Sequence, residues 1–104
     1  MEICLNEYIR TKNGKIDKVI NDNYYISEYI ECEKGIVDKE NIVNHSKNII
    51  DLIELGDFIN GNKVYKVTNT CIYCIGKAVQ NKLTVNIQTI LTHEQYERNC
   101  YKIN

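Results

Sequence analysis

The stretch Asn48 to Val67, NIIDLIELGDFINGNKVYKV, decides how the rest of the chain is read. It holds a dense apolar run, an Ile-Ile pair and the sharpest turn signal of the sequence. Asn60-Gly61 and Gly61-Asn62 are both two-residue hairpin loops by composition, because both tolerate the positive φ of a tight turn. A loop at Asn60-Gly61 sets Phe58 opposite Lys63 and Asp57 opposite Val64. A loop at Gly61-Asn62 sets Ile59 opposite Val64, Phe58 opposite Tyr65 and Asp57 opposite Lys66. Directly opposed side chains stabilise a sheet, so two apolar pairs and one ion pair favour the second. Upstream, Leu55-Gly56-Asp57 reads as a bend, with Gly56 supplying backbone freedom. Ile49 to Ile53 suits a short helical turn or a buried strand, and the turn is preferred.

Working toward the N-terminus, residues 2–21 read as a hairpin about Asn13-Gly14. Its register sets Arg10 opposite Asp17 and Tyr8 opposite Val19, with Ile9 against Lys18 and Thr11 against Ile16. Tyr24 to Glu33 is rich in aromatic and β-branched residues and predicts a third strand, which Lys34-Gly35 ends. Residues 36–48 carry charge with little period and read as a long connection. On the C-terminal side, Val67 to Gly76 continues as strand and residues 77–82 hold a turn. Leu83 to Leu91 alternates as a half-buried strand. Thr92-His93-Glu94-Gln95 is a capping box that opens a helix of about two turns. Tyr101 to Ile103 returns as a terminal strand. No internal repeat is apparent.

These elements predict a mainly β fold, a small barrel or rolled antiparallel sheet of five to seven short strands with one short C-terminal helix. With 104 residues the chain is expected to be a single domain, 1–104. The net charge of −1, from 13 basic and 14 acidic residues, argues against an affinity resting on phosphate neutralisation and against an acidic mimic of DNA. Polar residues directly after Met1 predict no signal peptide. No apolar run reaches the ~20 residues of a membrane span, so the expected location is the cytoplasm of the host cell. Five cysteines in such a chain read as reduced thiols.

Cys71-Ile72-Tyr73-Cys74 has the spacing of half a zinc or redox site. Positions i and i+3 of a strand point to opposite faces, however, so small strand residues are the better account and no metal or cofactor is expected. His93 beside Glu94 has the composition of an acid-base pair but reads as a helix surface, and His45 as a loop residue. No catalytic motif appears, and the chain is not expected to be an enzyme. The eight tyrosines, against one Phe and no Trp, point to recognition, since Tyr buries area at low entropic cost. Tyr24, Tyr25 and Tyr29 are the chosen binding residues, with the charged segment from Glu31 to Glu40 beside them.

Three segments, EYIRTKNGKI, NHSKNIIDLIELGDFINGNKV and ILTHEQYERNCYKI, resemble a family of small uncharacterised proteins in phages and prophages of low-GC Gram-positive bacteria. That family reads RT-x-[DN]-G-x-I, then KHS-x-NIIDLIEVGDYVNG-x-KV, then IVTKEQFE…YKV. Arg10, Thr11, Gly14 and Ile16 match the first pattern. His45, Ser46, Asn48 to Glu54, Gly56, Asp57, Asn60, Gly61, Lys63 and Val64 match the second. Thr92, Glu94, Gln95, Glu97, Tyr101 and Lys102 match the third. Asn44 and Leu55 depart from it, Phe58 and Tyr96 stand for their aromatic counterparts, and Tyr24 to Glu40 and Cys71 to Cys74 lie outside it. The resemblance implies phage origin. In that context the expected function is an accessory binding protein that stoichiometrically blocks a host defence component, an anti-CRISPR-type inhibitor. A sponge holding a nucleotide immune signal in a Tyr-lined pocket, as a homo-oligomer, is the first alternative. A small phage nucleic-acid-binding module is the second.

Overall fold

The structure, a computed structural model, describes residues 3–21 and 28–100. Within them the chain is mainly β: ten short strands form two antiparallel five-stranded sheets, with one short C-terminal helix. That is more strands than expected: the segment read as a connection supplies two, the turn read at 77–82 holds one, and the strand read on through Val67 to Gly76 is split. Two compact units divide the chain, residues 1–52 and 53–104. No helix among the described residues is long and apolar enough to cross a membrane.

The first unit contains β1 (Tyr8–Thr11), β2 (Ile16–Asn21), β3 (Tyr29–Cys32), β4 (Gly35–Asp38) and β5 (Ile42–Ser46), in the sheet order β4-β3-β2-β1-β5. Ile3, Ile9, Val19, Ile30, Cys32, Val37 and Ile42 form its core. Burying each large aliphatic side chain contributes about 1.5–3 kcal/mol. The β1–β2 register differs by one residue from the sequence reading, with Ile9 opposite Asp17 and Arg10 opposite Ile16. The loop has three residues rather than two. The Thr11 N–H donates to the Lys15 carbonyl, the Gly14 N–H donates to the Thr11 carbonyl, and Gly14 alone takes a positive φ, 86°. A three-residue loop with glycine in the left-handed position is the next solution after the two-residue turn. Arg10 is fully buried, and its Nη1 donates to the Leu52 carbonyl at 2.9 Å.

Residues 36–48 are not a connection. Ile36-Val37 and Ile42-Val43 are β-branched pairs that supply β4 and β5. Between them lies a single 3-10 turn, Lys39–Asn41, capped by the Asp38 carboxylate accepting from the Glu40 N–H at 3.0 Å. A second 3-10 turn, Ile49–Leu52, forms where a short helical turn was expected. Of the predicted third strand, Tyr29–Cys32 is strand, while Tyr24 and Tyr25 lie outside the described residues.

The second unit contains β6 (Phe58–Ile59), β7 (Asn62–Val67), β8 (Cys71–Cys74), β9 (Gln80–Asn81) and β10 (Ile90–Leu91), ordered β10-β6-β7-β8-β9, then helix α1 (His93–Asn99). Its hairpin turns at Asn60-Gly61, with φ of 51° and 83°, not at Gly61-Asn62. Phe58 therefore faces Lys63 and Ile59 faces Asn62. Two consecutive positive φ values define the type I′ turn that matches strand twist. The apolar residues are not wasted, because Ile59 and Val64 become diagonal neighbours on one face and both are buried. Asn60 does more than turn. Its Oδ1 accepts from the N–H groups of Gln88 and Thr89 at 2.7 and 3.0 Å, and its Nδ2 donates to the Asn86 carbonyl.

That side chain replaces the ladder expected for Leu83 to Leu91. Only Ile90–Leu91 pairs as strand, and Leu83 is 94% exposed. The stretch from Val67 to Gly76 is likewise split, at Thr68, whose Oγ1 accepts from the Cys71 N–H at 3.0 Å. The capping box at Thr92 and Gln95 forms as expected, and Tyr96 of α1 meets Phe58 with ring centroids 5.0 Å apart. Tyr101 to Ile103 lie outside the described residues.

The two units share one architecture, which corrects the expectation of no repeat. In each, four strands run as a meander and the fifth returns beside the first. Each first strand is preceded by a residue at positive φ, Asn6 at 68° and Gly56 at 90°. The N–H groups of Asn6 and Gly56 donate to the carbonyls of Val19 and Val64. The Glu7 and Asp57 carbonyls accept from the N–H groups of Val19 and Val64. Each second strand then carries a bulge, after Val19 and after Val64, and each of these valines faces a buried cysteine, Cys32 or Cys74. The numerical offset between matched residues drifts from 50 (Ile9, Ile59) to 45 (Val19, Val64) to 42 (Cys32, Cys74). Without a fixed period, no repeat is readable along the sequence.

Candidate functional site

The outward face of β2–β3–β4 carries the sequence-predicted binding residue that the structure describes. Tyr29 stands opposite Asp38, and Glu31 opposite Ile36. Alternation turns Ile30 and Cys32 inward and leaves Tyr29 and Ile36 outward, 54% and 72% exposed. The bulge adds Ile20, 47% exposed. Residues 28–40 hold five carboxylates, Glu28, Glu31, Glu33, Asp38 and Glu40, against two lysines. The face thus interleaves apolar and acidic side chains, with Glu31 on the middle strand between Ile36 and Asn21 and with Asp38 beside Tyr29. It stands on paired strands rather than on the loop expected from Glu31 to Glu40, so it is held rigid. None of the five described tyrosines (Tyr8, Tyr29, Tyr65, Tyr73, Tyr96) is buried, in line with a surface role for this residue type.

A cavity of about 250 Å³ adjoins this face, lined by Thr11, Lys12, Lys15, Ile36, Asp38 and Asn41 among others. No tyrosine lines it, so it is not the Tyr-lined pocket of the sponge reading.

A carboxylate just before each first strand ties it to a later element of its unit, β5 in the first and α1 in the second. Glu7 accepts from the Cys4 N–H and meets His45 Nδ1 at 3.0 Å. Burial pushes its pKa up, but the Cys4 N–H and His45 outweigh this and hold the carboxyl below its usual 4.5. A depressed folded-state pKa means that the contribution is complete above about 4.5 and is lost as pH falls through the lowered value. Unfolding free energy measured against pH is therefore expected to drop on the acid side of that point. Glu7→Gln should flatten the drop, and an equally steep profile in that variant would refute the assignment.

Asp57 holds the corresponding place in the second unit. It is fully buried and accepts from the Glu54 N–H at 2.8 Å and the His93 N–H at 2.9 Å. This draws together a cluster that sequence spacing did not reveal. His93 Nε2 lies 3.0 Å from Glu54 Oε1 and 3.4 Å from Glu94 Oε1. His93 is thus not only a helix surface residue. The three donors lie within 4.8 Å of one another, an arrangement that suits either an imidazole hydrogen-bonded between carboxylates or a divalent cation completing its shell with water. Glu54 and His93 stand 39 residues apart, so the only signal was the adjacent pair His93-Glu94.

Cys71 and Cys74 occupy the ends of β8, half-buried and buried. Burial pushes the Cys74 thiol up. Cys32 is pushed up to about 11 by burial and the nearby Asp17. Both are held as thiols, which disfavours them as thiolate ligands. Comparison of the chain with protein-family models, curated proteins and solved structures returns no match.

Proposed function

We propose that this protein is a phage-encoded accessory binding protein that stoichiometrically occupies a host defence protein, an anti-CRISPR-type inhibitor acting without turnover. The observation that carries the reading is the outward face of β2–β3–β4, where Ile20, Tyr29 and Ile36 are exposed and interleaved with the carboxylates Glu31 and Asp38. Large apolar side chains left exposed on one sheet face mark an interaction surface, and the excess of carboxylates among them selects a basic surface on the partner. The phage context comes from the resemblance of the Asn44–Val64 segment.

The same reading takes the first sheet as rolled. A flat five-stranded sheet places its edge strands about 19 Å apart. Asp38 and Ile42, at the ends of those two edges, are separated by four residue steps that reach at most about 14 Å. The Lys12 N–H also donates to the Asn41 carbonyl at 2.8 Å, tying the first hairpin loop to the connecting turn. Rolling gives a small rigid body whose outer surface is convex, suited to inserting into a partner's groove.

The test is a titration. A partner captured from host lysate and identified by mass spectrometry is assayed with increasing amounts of the protein. Inhibition should saturate near one molecule per target, and inhibition persisting at large target excess would signal catalysis and sink the proposal.

A further inference from the structure

We propose that the outward face of β7–β8 in the second unit binds single-stranded nucleic acid, at a site distinct from the Tyr29 face. The shared architecture supplies an internal control. The register places Tyr65, Lys66 and Tyr73 at the positions held in the first unit by Ile20, Asn21 and Glu31. Both sets build the same bulge on the same ladder, so the fold requires neither aromatic ring nor cation there.

The three residues form one surface. Tyr65 is 55% exposed, the Tyr65 and Tyr73 ring centroids lie 6.1 Å apart, and Lys66 Nζ sits 5.0 Å from the Tyr73 centroid. Lys63, also exposed, stands two residues before Tyr65 on β7. The five strands of this sheet contain those two lysines and no carboxylate, whereas those of the first sheet contain Asp17, Glu31 and Asp38. The division extends to the whole units. Residues 1–52 carry seven Lys or Arg against ten Asp or Glu, net −3, and residues 53–104 carry six against four, net +2. The total of −1 conceals this contrast.

Tilted tyrosine rings offer flat π-faces on which unpaired bases stack, and flanking ammonium groups meet the phosphates. Two lysines are too few for tight phosphate neutralisation, so stacking must supply much of the affinity. That demands bases outside a duplex.

The experiment measures fluorescence anisotropy of labelled dT and rU oligomers of about 15 nucleotides, and of a duplex of equal length, with the full chain at low and moderate salt. The expected result is binding of one or both single strands, weakened by salt, with the duplex bound at least tenfold less well. The combined variant Tyr65→Ile, Lys66→Asn, Tyr73→Glu installs the first unit's residues and should weaken binding at least tenfold without shifting the melting midpoint. Should that variant melt early, Tyr65→Ile alone, at an exposed bulge, must still weaken binding severalfold. Tyr73→Phe keeps the ring and should bind as wild type. No binding of either single strand, equal binding of the duplex, undiminished binding by the variants, or loss in Tyr73→Phe would each overturn the site.

Discussion

Asp57→Ala is expected to lower the unfolding free energy by about 3 kcal/mol. The Asp57 carboxylate is fully buried and accepts from two backbone N–H groups, those of Glu54 and His93. Truncation leaves both donors facing a void, and hydrogen bonds to a charged acceptor contribute about 1.5–3 kcal/mol each. It also removes the carboxylate that bridges the Glu54 bend to the start of α1. Asp57→Asn keeps one acceptor oxygen and should cost about half as much. Urea unfolding followed by circular dichroism measures the difference. A loss below about 0.5 kcal/mol, the scale of an ordinary surface substitution, would show that the two bonds do not hold this unit together.

The double variant Tyr29→Ala, Ile36→Ala is expected to weaken the protein partner's binding by a hundredfold or more. Central aromatic and aliphatic side chains of an interface contribute about 2–4 kcal/mol each when truncated. Both residues point away from the core, and Ile36 is the most exposed large hydrophobic side chain among the described residues of the first unit. The melting midpoint should stay within a few degrees. Isothermal titration against the captured partner reads the effect, and undiminished affinity would move the interface elsewhere on the chain.

What was legible in the sequence was local. The Thr92 capping box closes within four residues, the 3-10 turn at Ile49–Leu52 lies within one run, and Gly56 announces its own bend. The sequence places both hairpins, but the first register differs from its reading by one residue and the second by two. In the first, Gly14 alone took the left-handed position and lengthened the loop. In the second, Asn60 tolerated positive φ where pairing energies alone pointed one residue on. Strands β4 and β5 are hard to read because charged residues surround the short Ile-Val pairs at 36–37 and 42–43 that form them. The Leu83–Leu91 alternation is real in part, with Val85 and Ile87 less exposed than Asn86 and Gln88, but Asn60 had already taken the backbone donors a ladder would use. The Tyr29 face is half legible: the tyrosine stands out by residue type, while Ile20 and Ile36 come from the separate strands β2 and β4. The Tyr65–Tyr73 face depends on a bulge and on comparing two units that no sequence period aligns.

Cys32 and Cys74 hold matching inward positions, one in each unit, and burial holds both thiols unreactive. The chain thus carries two chemical clocks at equivalent places. A thiol reagent reaches each only when its own strand lifts from its own core, so mass-resolved labelling times the opening of the halves separately. Exposed Cys4 reacts at once and sets the zero of the time axis.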